Sequence, residues 1–379
     1  MKRTVVVAPD SYKGTARAVE VAESIAAGWR SVRPDDDVRC VPMADGGEGT
    51  LEAFERAHPG AQRMPVAVSG PDDRRVDAYW LLLPDIGTGG TGVVELAGTS
   101  GITLLHRLLP LEAHTVGFGQ AVRAALAAGV DRLVLAIGGS ASTDGGAGFL
   151  TALGARLLDH DGRPVQPGNA GLAEIAQVDL GPLLPLPPRG AVVLSDVTNP
   201  LVGRRGAVAV FGPQKGIETG LERRAESALA HFAELLGEAT GADPNAAGAG
   251  AAGGTGFALS AWGATTASGA AAVADELGLA AHLGVADVVI TGEGSYDAQS
   301  EAGKVPSLVR DLAHSARAVR PGALVPVSVA LVAGRFGAAP RGFDHALELA
   351  ALAGGVDAAT SDPLRWLHEA GRRLASSPL

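Results

Sequence analysis

The sequence has little of several residue types on which other protein classes depend. Cys40 is the only cysteine among 379 residues, so neither an internal disulfide nor a thiolate metal cluster can form. Aromatic residues make up 4% of the chain, whereas hydrophobic residues make up 46%. We therefore expect a core of Ala, Val and Leu, which suits helices packed on a sheet. The length predicts two or three domains.

Long hydrophobic runs and basic tracts are also scarce. The longest apolar run, residues 322–334, is too short to cross a bilayer, and the apolar N-terminal stretch breaks at Pro9 and Asp10, too early for a secretory signal. The formal net charge is −10, which excludes nucleic acid and anionic membranes as expected partners. We expect a cytoplasmic protein, monomeric or homodimeric, that works on small molecules.

Lysine is rare as well, which makes each lysine informative. The chain has only four among its 31 basic side chains, and three of them stand next to a glycine: Lys13, Lys215 and Lys304. A compact ammonium at a turn is typical of phosphate binding, although a glycine-rich chain also produces such neighbours by composition. We predict phosphate contacts for Lys13 and Lys215, with Lys304 as a further candidate.

Strand-like and helix-like segments alternate at both ends of the chain. Five strands are predicted, at 3–10, 38–45, 286–294, 326–334 and 345–350. Parallel strands separated by helices indicate a flavodoxin-like, doubly wound, five-stranded sheet. We assign residues 1–63 and 285–379 to this domain.

The middle of the chain, residues 64–284, is predicted to be an inserted mixed α/β domain. Residues 63–84 have the pattern of a hairpin, and residues 257–277 that of one long return helix. The low-complexity stretch 241–256 is either a linker or a hinge or substrate-facing loop. We expect the active site in the cleft between the two domains.

A glycine-rich and serine-rich loop lies between a predicted strand and a predicted helix, within AIGGSASTDGGAGF at 136–149. Free amides and a helix N-terminus meet there, which favours anion binding. A carboxylate would repel a phosphate unless a metal or a substrate hydroxyl lay between them. A tight turn needs only one capping residue, so we interpret the loop as a binding loop formed by Gly138, Gly139, Ser140, Ser142, Thr143 and Asp144.

Other strand ends carry acids, glycines and lysines. Carboxyl ends of parallel strands meet at one edge of a sheet, where ligands bind in this fold. Asp196 could also be a simple strand-end turn residue. The candidates are Asp10, Ser11 and Lys13 after the first strand, Asp45, Gly46 and Gly47 after the second, Asp196 and Asn199 in the insert, and Gly292, Glu293, Gly294, Asp297 and Lys304 around the third.

These blocks, in this order, resemble the signatures of the bacterial type I glycerate kinase family. They are APDSYKGT, PMADGGEGT, GGSASTDGGAGF, SDVTNPLVGRRGA with VFGPQKG, GAGAAGG, and TGEGSYDAQS with GKVP. The resemblance runs from about residue 4 to the C-terminal helix. This sequence departs from the family pattern at His114, Val116 and Gln120, and in the stretch STDGG.

The resemblance implies ATP-dependent phosphorylation of D-glycerate with a divalent metal, expected to be Mg²⁺, giving 2-phosphoglycerate or, alternatively, 3-phosphoglycerate. Phosphoryl transfer needs positioning, neutralised charge and a base. We assign phosphate neutralisation to Lys215 and Lys13, and contacts with Mg-ATP or a hydroxyl to Asp45, Asp196 and Asp297. Asp196 is the first choice of general base and Asp297 the second. The serine-rich loop is expected to hold either phosphate or the glycerate carboxylate.

The sequence argues against two other functions. A 2-hydroxyacid dehydrogenase would need a dinucleotide fingerprint, but GTGGTG at 87–92 and GAGAAG at 248–253 lack the strand-to-helix context. A non-catalytic sensor of sugar acids or nucleotides would need only the binding loops, and the several acids with isolated lysines argue against it.

Overall fold

The computed structural model describes residues 2–84, 89–301, 304–318 and 327–378. The strands are β1 (Thr4–Val7), β2 (Asp37–Cys40), β3 (Gln62–Ser69), β4 (Arg75–Leu83), β5 (Thr91–Glu95), β6 (Arg132–Ala136), β7 (Arg156–Leu158), β8 (Gln177–Asp179), β9 (Ala191–Leu194), β10 (Thr265–Ala267), β11 (Val288–Tyr296), β12 (Ser328–Phe336) and β13 (His345–Glu348). Gly87 and Thr88 of the first dinucleotide-like stretch lie outside the described residues.

The α-helices are α1 (Ala18–Val32), α2 (Thr50–Ala57), α3 (Ala97–Ser100), α4 (Val116–Ala127), α5 (Ala147–Ala152), α6 (Asn169–Leu172), α7 (Ala207–Phe211), α8 (Glu222–Thr240), α9 (Thr255–Ala261), α10 (Gly269–Glu276), α11 (Leu279–Leu283), α12 (Ala298–Glu301), α13 (Val305–Ala318), α14 (Leu349–Ala353), α15 (Val356–Ser361) and α16 (Pro363–Ser376). Short 3₁₀ helices form at Ile102–Leu104, Pro213–Lys215 and Ala251–Gly254. No helix among the described residues has the length and apolar content needed to span a membrane.

The chain folds into two compact units. Unit 1 comprises Met1–Asp45, Glu52–Ala57 and Ala270–Leu379, and unit 2 comprises Gly46–Leu51 and His58–Gly269. The chain thus returns to unit 1 at residue 270, whereas the sequence placed the return at 285, because α10 and α11 belong to unit 1. The segment 46–51 also belongs to unit 2.

The sheet of unit 1 is parallel throughout and has the order β13-β12-β11-β1-β2. Counted along unit 1, this is the 2-1-3-4-5 order of flavodoxin-like folds, so the predicted fold class is confirmed. The strand order reverses between β1 and β11, where Val5 pairs with Val288. In such sheets ligands bind outside the carboxyl ends of the strands at this switch point.

Helices α1 and α16 cover one face of this sheet through an unusually close crossing. A Cβ atom at Gly28 would lie 2.0 Å from the carbonyl oxygen of His368, and one at Gly371 would lie 2.2 Å from that of Ile25. Both glycines therefore let the helix backbones touch. Trp29 is fully buried beside this crossing, and its indole N–H donates to Asp36 at 3.0 Å.

Unit 2 is built on a six-stranded mixed sheet of order β10-β9-β6-β5-β4-β3. β3 and β4 form the predicted antiparallel hairpin, and β5, β6, β9 and β10 run parallel. β7 and β8 form a separate two-stranded sheet. The single return helix predicted over 257–277 is wrong. Gly263, at φ +98°, ends the helical stretch, and the β-branched Thr265 and Thr266 continue as the edge strand β10.

The low-complexity stretch is not a free linker. Its C-terminal part, the 248–254 segment, is largely buried and forms a 3₁₀ turn. Ala252 adopts a left-handed conformation there, with φ 53°. A Cβ atom at Gly250 would lie 2.2 Å from the carbonyl oxygen of Pro200, and one at Gly253 would lie 2.0 Å from that of Ser142. The segment is therefore a tightly packed part of unit 2.

Candidate active-site clusters

At the switch point of unit 1, β1 ends in two buried polar residues. The Asp10 amide donates to the Gly292 carbonyl at 2.8 Å, and the Asp10 carboxylate accepts from the Ser11 amide at 2.7 Å. Burial raises the pKa of Asp10 well above its usual value, and the neighbouring Asp45 raises it further. The Ser11 hydroxyl is buried without a hydrogen-bond partner, so the β1 end presents an unused donor.

The two predicted glycines of β11 serve the packing of this end. A Cβ atom at Gly292 would lie 2.1 Å from the Val332 carbonyl oxygen, and one at Gly294 would lie 3.2 Å from Tyr12 Cα. The Tyr12 hydroxyl donates to the same Val332 carbonyl at 2.7 Å. The neighbouring strand β12 at Gly292, and the chain after β1 at Gly294, thus account for the two glycines.

Lys13 pairs with the acid that follows the second strand. Its Nζ lies 3.1 Å from Asp45 Oδ2, and the two side chains are 60% and 14% exposed. The Asp45 carboxylate raises the pKa of Lys13 above its usual value, with a further contribution from Asp10. Lys13 is therefore a fully charged ammonium that is already partly neutralised and faces solvent.

Glu293, on β11, is a second acid of unit 1 with a raised pKa. Burial raises its pKa to about 7, while a hydrogen bond from Ser300 and the charge of Lys304 lower it. Glu293 Oε1 is buried without a hydrogen-bond partner. We call the polar residues gathered at this end of the sheet of unit 1 the switch-point cluster. Its members are Asp10, Ser11, Lys13, Asp45, Glu293, Asp297 and Lys304.

In unit 2 the glycine-rich loop, residues 138–146 and hereafter the serine loop, packs its bare backbone against other backbone. A Cβ atom at Gly138 would lie 2.6 Å from Gly47 Cα, and the Gly138 amide donates to the Gly46 carbonyl at 3.0 Å. Gly46 itself has φ +87°. On the other side, the Gly145 amide donates to the Gly253 carbonyl at 3.0 Å. These glycines allow the serine loop to contact two other chain segments, one at Gly46 and Gly47 and one at Gly253.

Asp144 organises the serine loop from inside. It is fully buried, and its carboxylate accepts hydrogen bonds from five donors: Thr115 N at 2.9 Å, Thr115 Oγ1 at 2.7 Å, Ser142 Oγ at 3.1 Å, Gly146 N at 3.2 Å and Gly148 N at 3.2 Å. A carboxylate offers about four lone-pair sites. The expectation that Asp144 contacts a ligand is therefore revised, because its oxygens are already occupied by the protein.

Lys215 reaches the serine loop from the 3₁₀ turn after α7. Its side chain is 3% exposed, and Nζ donates to Ser140 Oγ at 2.7 Å and to the Ser142 carbonyl at 2.5 Å. Burial lowers the pKa of Lys215 to about 7, against a smaller raising effect of Asp144. An ammonium has three donors, so one N–H is left for a ligand.

Two more residues of unit 2 support this site, and sequence reasoning missed both. Thr115 donates to Asp144 and accepts from the Phe149 amide at 2.9 Å. Asn169 donates to the Thr143 carbonyl at 3.0 Å. The Thr143 hydroxyl is buried without a hydrogen-bond partner, so it is available to a ligand. Thr115 and Asn169 also have glycines nearby, but neither follows a predicted strand, so the sequence carried no comparable signal for them.

Asp196 and Asn199 follow β9, as predicted, and each side chain makes a hydrogen bond with the backbone. Asp196 Oδ1 accepts from the Gly269 amide at 3.0 Å, at the start of α10. Asn199 Nδ2 donates to the Arg205 carbonyl at 2.8 Å. Both side chains are half-buried. The structure thus groups Lys215 with the serine loop and gives Asp196 the turn-stabilising contact that was its alternative interpretation.

Two of the positions that depart from the family pattern, His114 and Gln120, have local partners. His114 Nε2 lies 3.2 Å from Asp73 Oδ1, and Gln120 Oε1 accepts from the Ser69 amide at 2.7 Å. Both contacts connect the β3–β4 hairpin to α4 or to the residues just before it. These substitutions therefore have an explanation in the packing of the hairpin.

The predicted magnesium carboxylates do not form a closed metal site. Among the residues that the structure describes, no group of three or more His, Cys, Asp or Glu side chains is placed to hold a metal ion. Asp45 and Asp297 belong to unit 1, and Asp196 belongs to unit 2. A Mg²⁺ carried by a nucleotide needs only one or two protein carboxylates, and single acids of this kind fit that need.

Comparison with known proteins gives a consistent result. Residues 5–377 match the model of the Glycerate kinase family. The chain is 42% identical over 314 residues to Glycerate 2-kinase of Escherichia coli strain K12, which covers 82% of this chain and 81% of that protein. It is 40% identical to Glycerate kinase of Bacillus subtilis strain 168, covering 82% of each chain.

A solved structure agrees over nearly the whole length. A crystal structure from Salmonella typhimurium LT2, provisionally named glycerate kinase 2, matches with a TM-score of 0.74 and 37% identity, covering 99% of this chain and 98% of that one. A family match of this extent, on a flavodoxin-like sheet with a lysine-bearing cluster at its switch point, identifies the chain as a member of the glycerate kinase family.

Proposed function

We propose that the protein transfers the γ-phosphoryl group of ATP to the 2-hydroxyl of D-glycerate, giving ADP and 2-phosphoglycerate. The name of the Escherichia coli relative, Glycerate 2-kinase, supports the 2-position. The observation that carries the chemistry is the pair of lysine-centred clusters at strand ends, Lys13 with Asp45 and Lys215 with Ser140. Phosphoryl transfer is governed by such positioned positive charge.

The serine loop and Lys215 are proposed to hold an anionic group. The remaining N–H of Lys215 and the unpartnered Thr143 hydroxyl supply donors inside a buried site, where a charged hydrogen bond is stronger than in water. We assign this site to the terminal phosphate oxygens, with the glycerate carboxylate as the alternative. Lys13 is assigned to the phosphates as a second, solvent-facing cation.

The proton of the attacking hydroxyl needs an acceptor. The glycerate oxygen forms a bond with the γ-phosphorus, the bond from phosphorus to the bridging oxygen breaks, ADP leaves with that electron pair, and the hydroxyl proton passes to a carboxylate. We propose Glu293 as this base because one of its oxygens is unpartnered and its pKa is about 7. Asp196 and Asp297 are the alternatives. Asp196 ranks lower because it already accepts from the Gly269 amide.

Mg²⁺ is part of the proposal as the partner of ATP. Asp45, Asp297 and Asp196 are the carboxylates assigned to it, singly or in pairs. When bound, the ion adds positive charge that offsets the charge of the phosphates. The protein residues themselves bind, orient and accept the proton.

Phosphorus NMR of a mixture of protein, D-glycerate, ATP and MgCl₂ tests this function. A new monoester signal split into a doublet by the single proton on carbon 2, with matching formation of ADP, is the expected result. A triplet would place the phosphate on carbon 3 and overturn the regiochemistry. Unchanged ATP with measurable binding of glycerate would replace the kinase by a sensor of sugar acids.

A further inference from the structure

The side chain of Thr115, the N-cap residue of α4, does not cap its own helix. The Thr115 amide and hydroxyl both donate to one oxygen of Asp144, Oδ2, at 2.9 and 2.7 Å. The same hydroxyl accepts from the Phe149 amide, in the first turn of α5, at 2.9 Å. An N-cap threonine ordinarily accepts from an amide of its own helix. Thr115 therefore holds the serine loop and the helix after it instead of α4.

The other oxygen of Asp144 holds a residue that contacts Lys215. This oxygen, Oδ1, accepts from the Ser142 hydroxyl at 3.1 Å and from the Gly146 amide at 3.2 Å. The carbonyl of the same Ser142 accepts from Lys215 Nζ at 2.5 Å. Through Ser142, the carboxylate that Thr115 holds is thus linked to the ammonium of Lys215.

The Thr115 hydroxyl makes the shortest of the five contacts of the Asp144 carboxylate, so it does most to fix how that group is turned. Without this hydroxyl, Oδ2 keeps two amide donors and Oδ1 keeps both of its donors. Four donors still match the four or so lone-pair sites of a carboxylate. We therefore expect the serine loop to stay folded, while the carboxylate and the Ser142 carbonyl linked to it move.

We propose that Thr115 is a positioning residue: by holding Asp144, it keeps the ammonium of Lys215 where phosphoryl transfer needs it. This inference rests on the function proposed above, in which Lys215 binds the terminal phosphate oxygens. Thr115 is fully buried and acts through Asp144. Loss of its hydroxyl should slow phosphoryl transfer, because a charge that is about 1 Å out of place stabilises the transition state less.

NMR of the lysine side chains tests this role apart from activity. The chain has only four lysines, so protein labelled with ¹³C,¹⁵N-lysine gives a simple spectrum, and Lys215→Met identifies the Cε signal of Lys215. Thr115→Val keeps the shape of the side chain and lacks the hydroxyl. In this variant we expect the Lys215 signal to shift and the signals of the other three lysines to stay in place. Thr115→Ser keeps the hydroxyl and should keep the wild-type spectrum.

Steady-state kinetics measure the consequence for the reaction. For Thr115→Val we expect kcat to fall about 10- to 100-fold, the size of a misplacement effect. KM for D-glycerate should stay within about 2-fold of wild type, because the phosphate site and not the glycerate site is disturbed. Thr115→Ser should recover most of the loss, since it restores the hydrogen bonds to Asp144 and from Phe149.

Thr240→Val is a control that is matched in its hydrogen bonds. The Thr240 hydroxyl also has one acceptor and one amide donor, the Leu236 carbonyl at 2.7 Å and the Ala242 amide at 3.2 Å. Thr240 lies about 12 Å further along α8 than Phe232, whose ring packs at Gly145 of the serine loop. Thr240→Val should therefore keep the Lys215 signal and the kcat of wild type.

An unchanged Lys215 signal or a wild-type kcat in Thr115→Val would overturn the positioning role. If Thr115→Val does not fold, Ser142→Ala decides, because it removes the side-chain donor to the other oxygen of Asp144. An unchanged Lys215 signal in that variant has the same meaning. Absence of kinase activity in the wild-type protein, with the Lys215 signal still shifted in Thr115→Val, would instead overturn the proposed function.

Discussion

The lysines of the two candidate clusters, Lys13 and Lys215, have similar sequence neighbours and opposite environments. Lys13 is 60% exposed and paired with Asp45, which raises its pKa. Lys215 is buried, donates to a hydroxyl and a carbonyl, and has its pKa lowered to about 7. The pairing with Asp45 therefore stabilises the charge of Lys13, whereas burial destabilises the charge of Lys215. Burial and partner identity, which the Lys-Gly dipeptide does not encode, set this difference.

Replacing the buried lysine should produce the largest effect. In Lys215→Met we expect kcat/KM for ATP to fall about 10³-fold, because a buried charged donor to the transferring group is lost. The apolar side chain should still fold at this position. Steady-state kinetics measure the loss of activity, and circular dichroism measures whether the variant is folded. Lys2→Met, at the exposed N-terminus, is the control and should behave as wild type; equal activity of the two variants would remove Lys215 from the site.

Glu293→Gln comes next, with an expected fall in kcat of about 10²-fold for the loss of a general base. The pH dependence of kcat/KM distinguishes the contribution of Glu293 from that of Lys215. In wild type, kcat/KM should rise with pH as Glu293 ionises and fall as the Lys215 ammonium of the free enzyme is lost, both near pH 7, which gives a narrow bell with its maximum at about pH 7. Glu293→Gln should lack the rising limb, and Lys215→Met the falling one. A rising limb retained in Glu293→Gln would favour Asp196 or Asp297 as the base.

Lys13→Met should have a smaller effect, about tenfold on kcat/KM for ATP, since solvent screens its charge and Asp45 already offsets it. The loss should shrink as salt concentration increases, which kinetics at several ionic strengths would show. A loss as large as that of Lys215→Met, and independent of salt, would contradict the distinction between a screened and a buried cation.

The smallest expected effect is on the pH dependence of stability. The folded-state pKa of Lys215 is lowered to about 7 from 10.5, so between these pH values the unfolded chain binds more protons than the folded one. The free energy of unfolding should therefore rise with pH in this window, by about 1.4 kcal/mol per pH unit at most. Urea unfolding from pH 7 to 9 should show a weaker rise in Lys215→Met. Identical slopes would contradict the buried ammonium.

Glu293 should change the pH dependence of the free energy of unfolding in the opposite direction. Its folded-state pKa is raised to about 7 from 4.5, so the folded chain binds more protons between these values, and its contribution to stability is lost as pH rises through 7. Glu293→Gln should flatten the pH dependence of unfolding between pH 4.5 and 7. The same urea measurements, extended to acid, follow this change.

Most of the fold could be predicted from local sequence patterns. The strands of unit 1, the β3–β4 hairpin and the glycerate kinase family were predicted and are confirmed, because β-branched runs ending in polar residues are local features. The strand β10 was missed because Thr265–Ala267 is short and lies between two helical stretches. The hydrogen bonds that occupy Asp144 could not be predicted for another reason: its donors include Thr115, which is distant in sequence.

The site residues were recognisable as candidates, but their individual roles were not. The glycines near Asp45 and in the serine loop were predicted to approach a ligand, whereas Gly47 and Gly138 approach each other. Glycine in a sequence indicates only that a side chain is excluded. What excludes it, a substrate or another strand of backbone, is decided by tertiary contacts.

The contact of the serine loop with residues 46–47 and 250–254 also has a consequence for folding. These three segments are remote along the chain, and the entropy of bringing them together is lost before their few contacts stabilise them. We infer that the serine loop reaches its folded conformation late in refolding, after the apolar layers of unit 2 have condensed. A species trapped just before that step would be compact and helical, and still inert toward nucleotides.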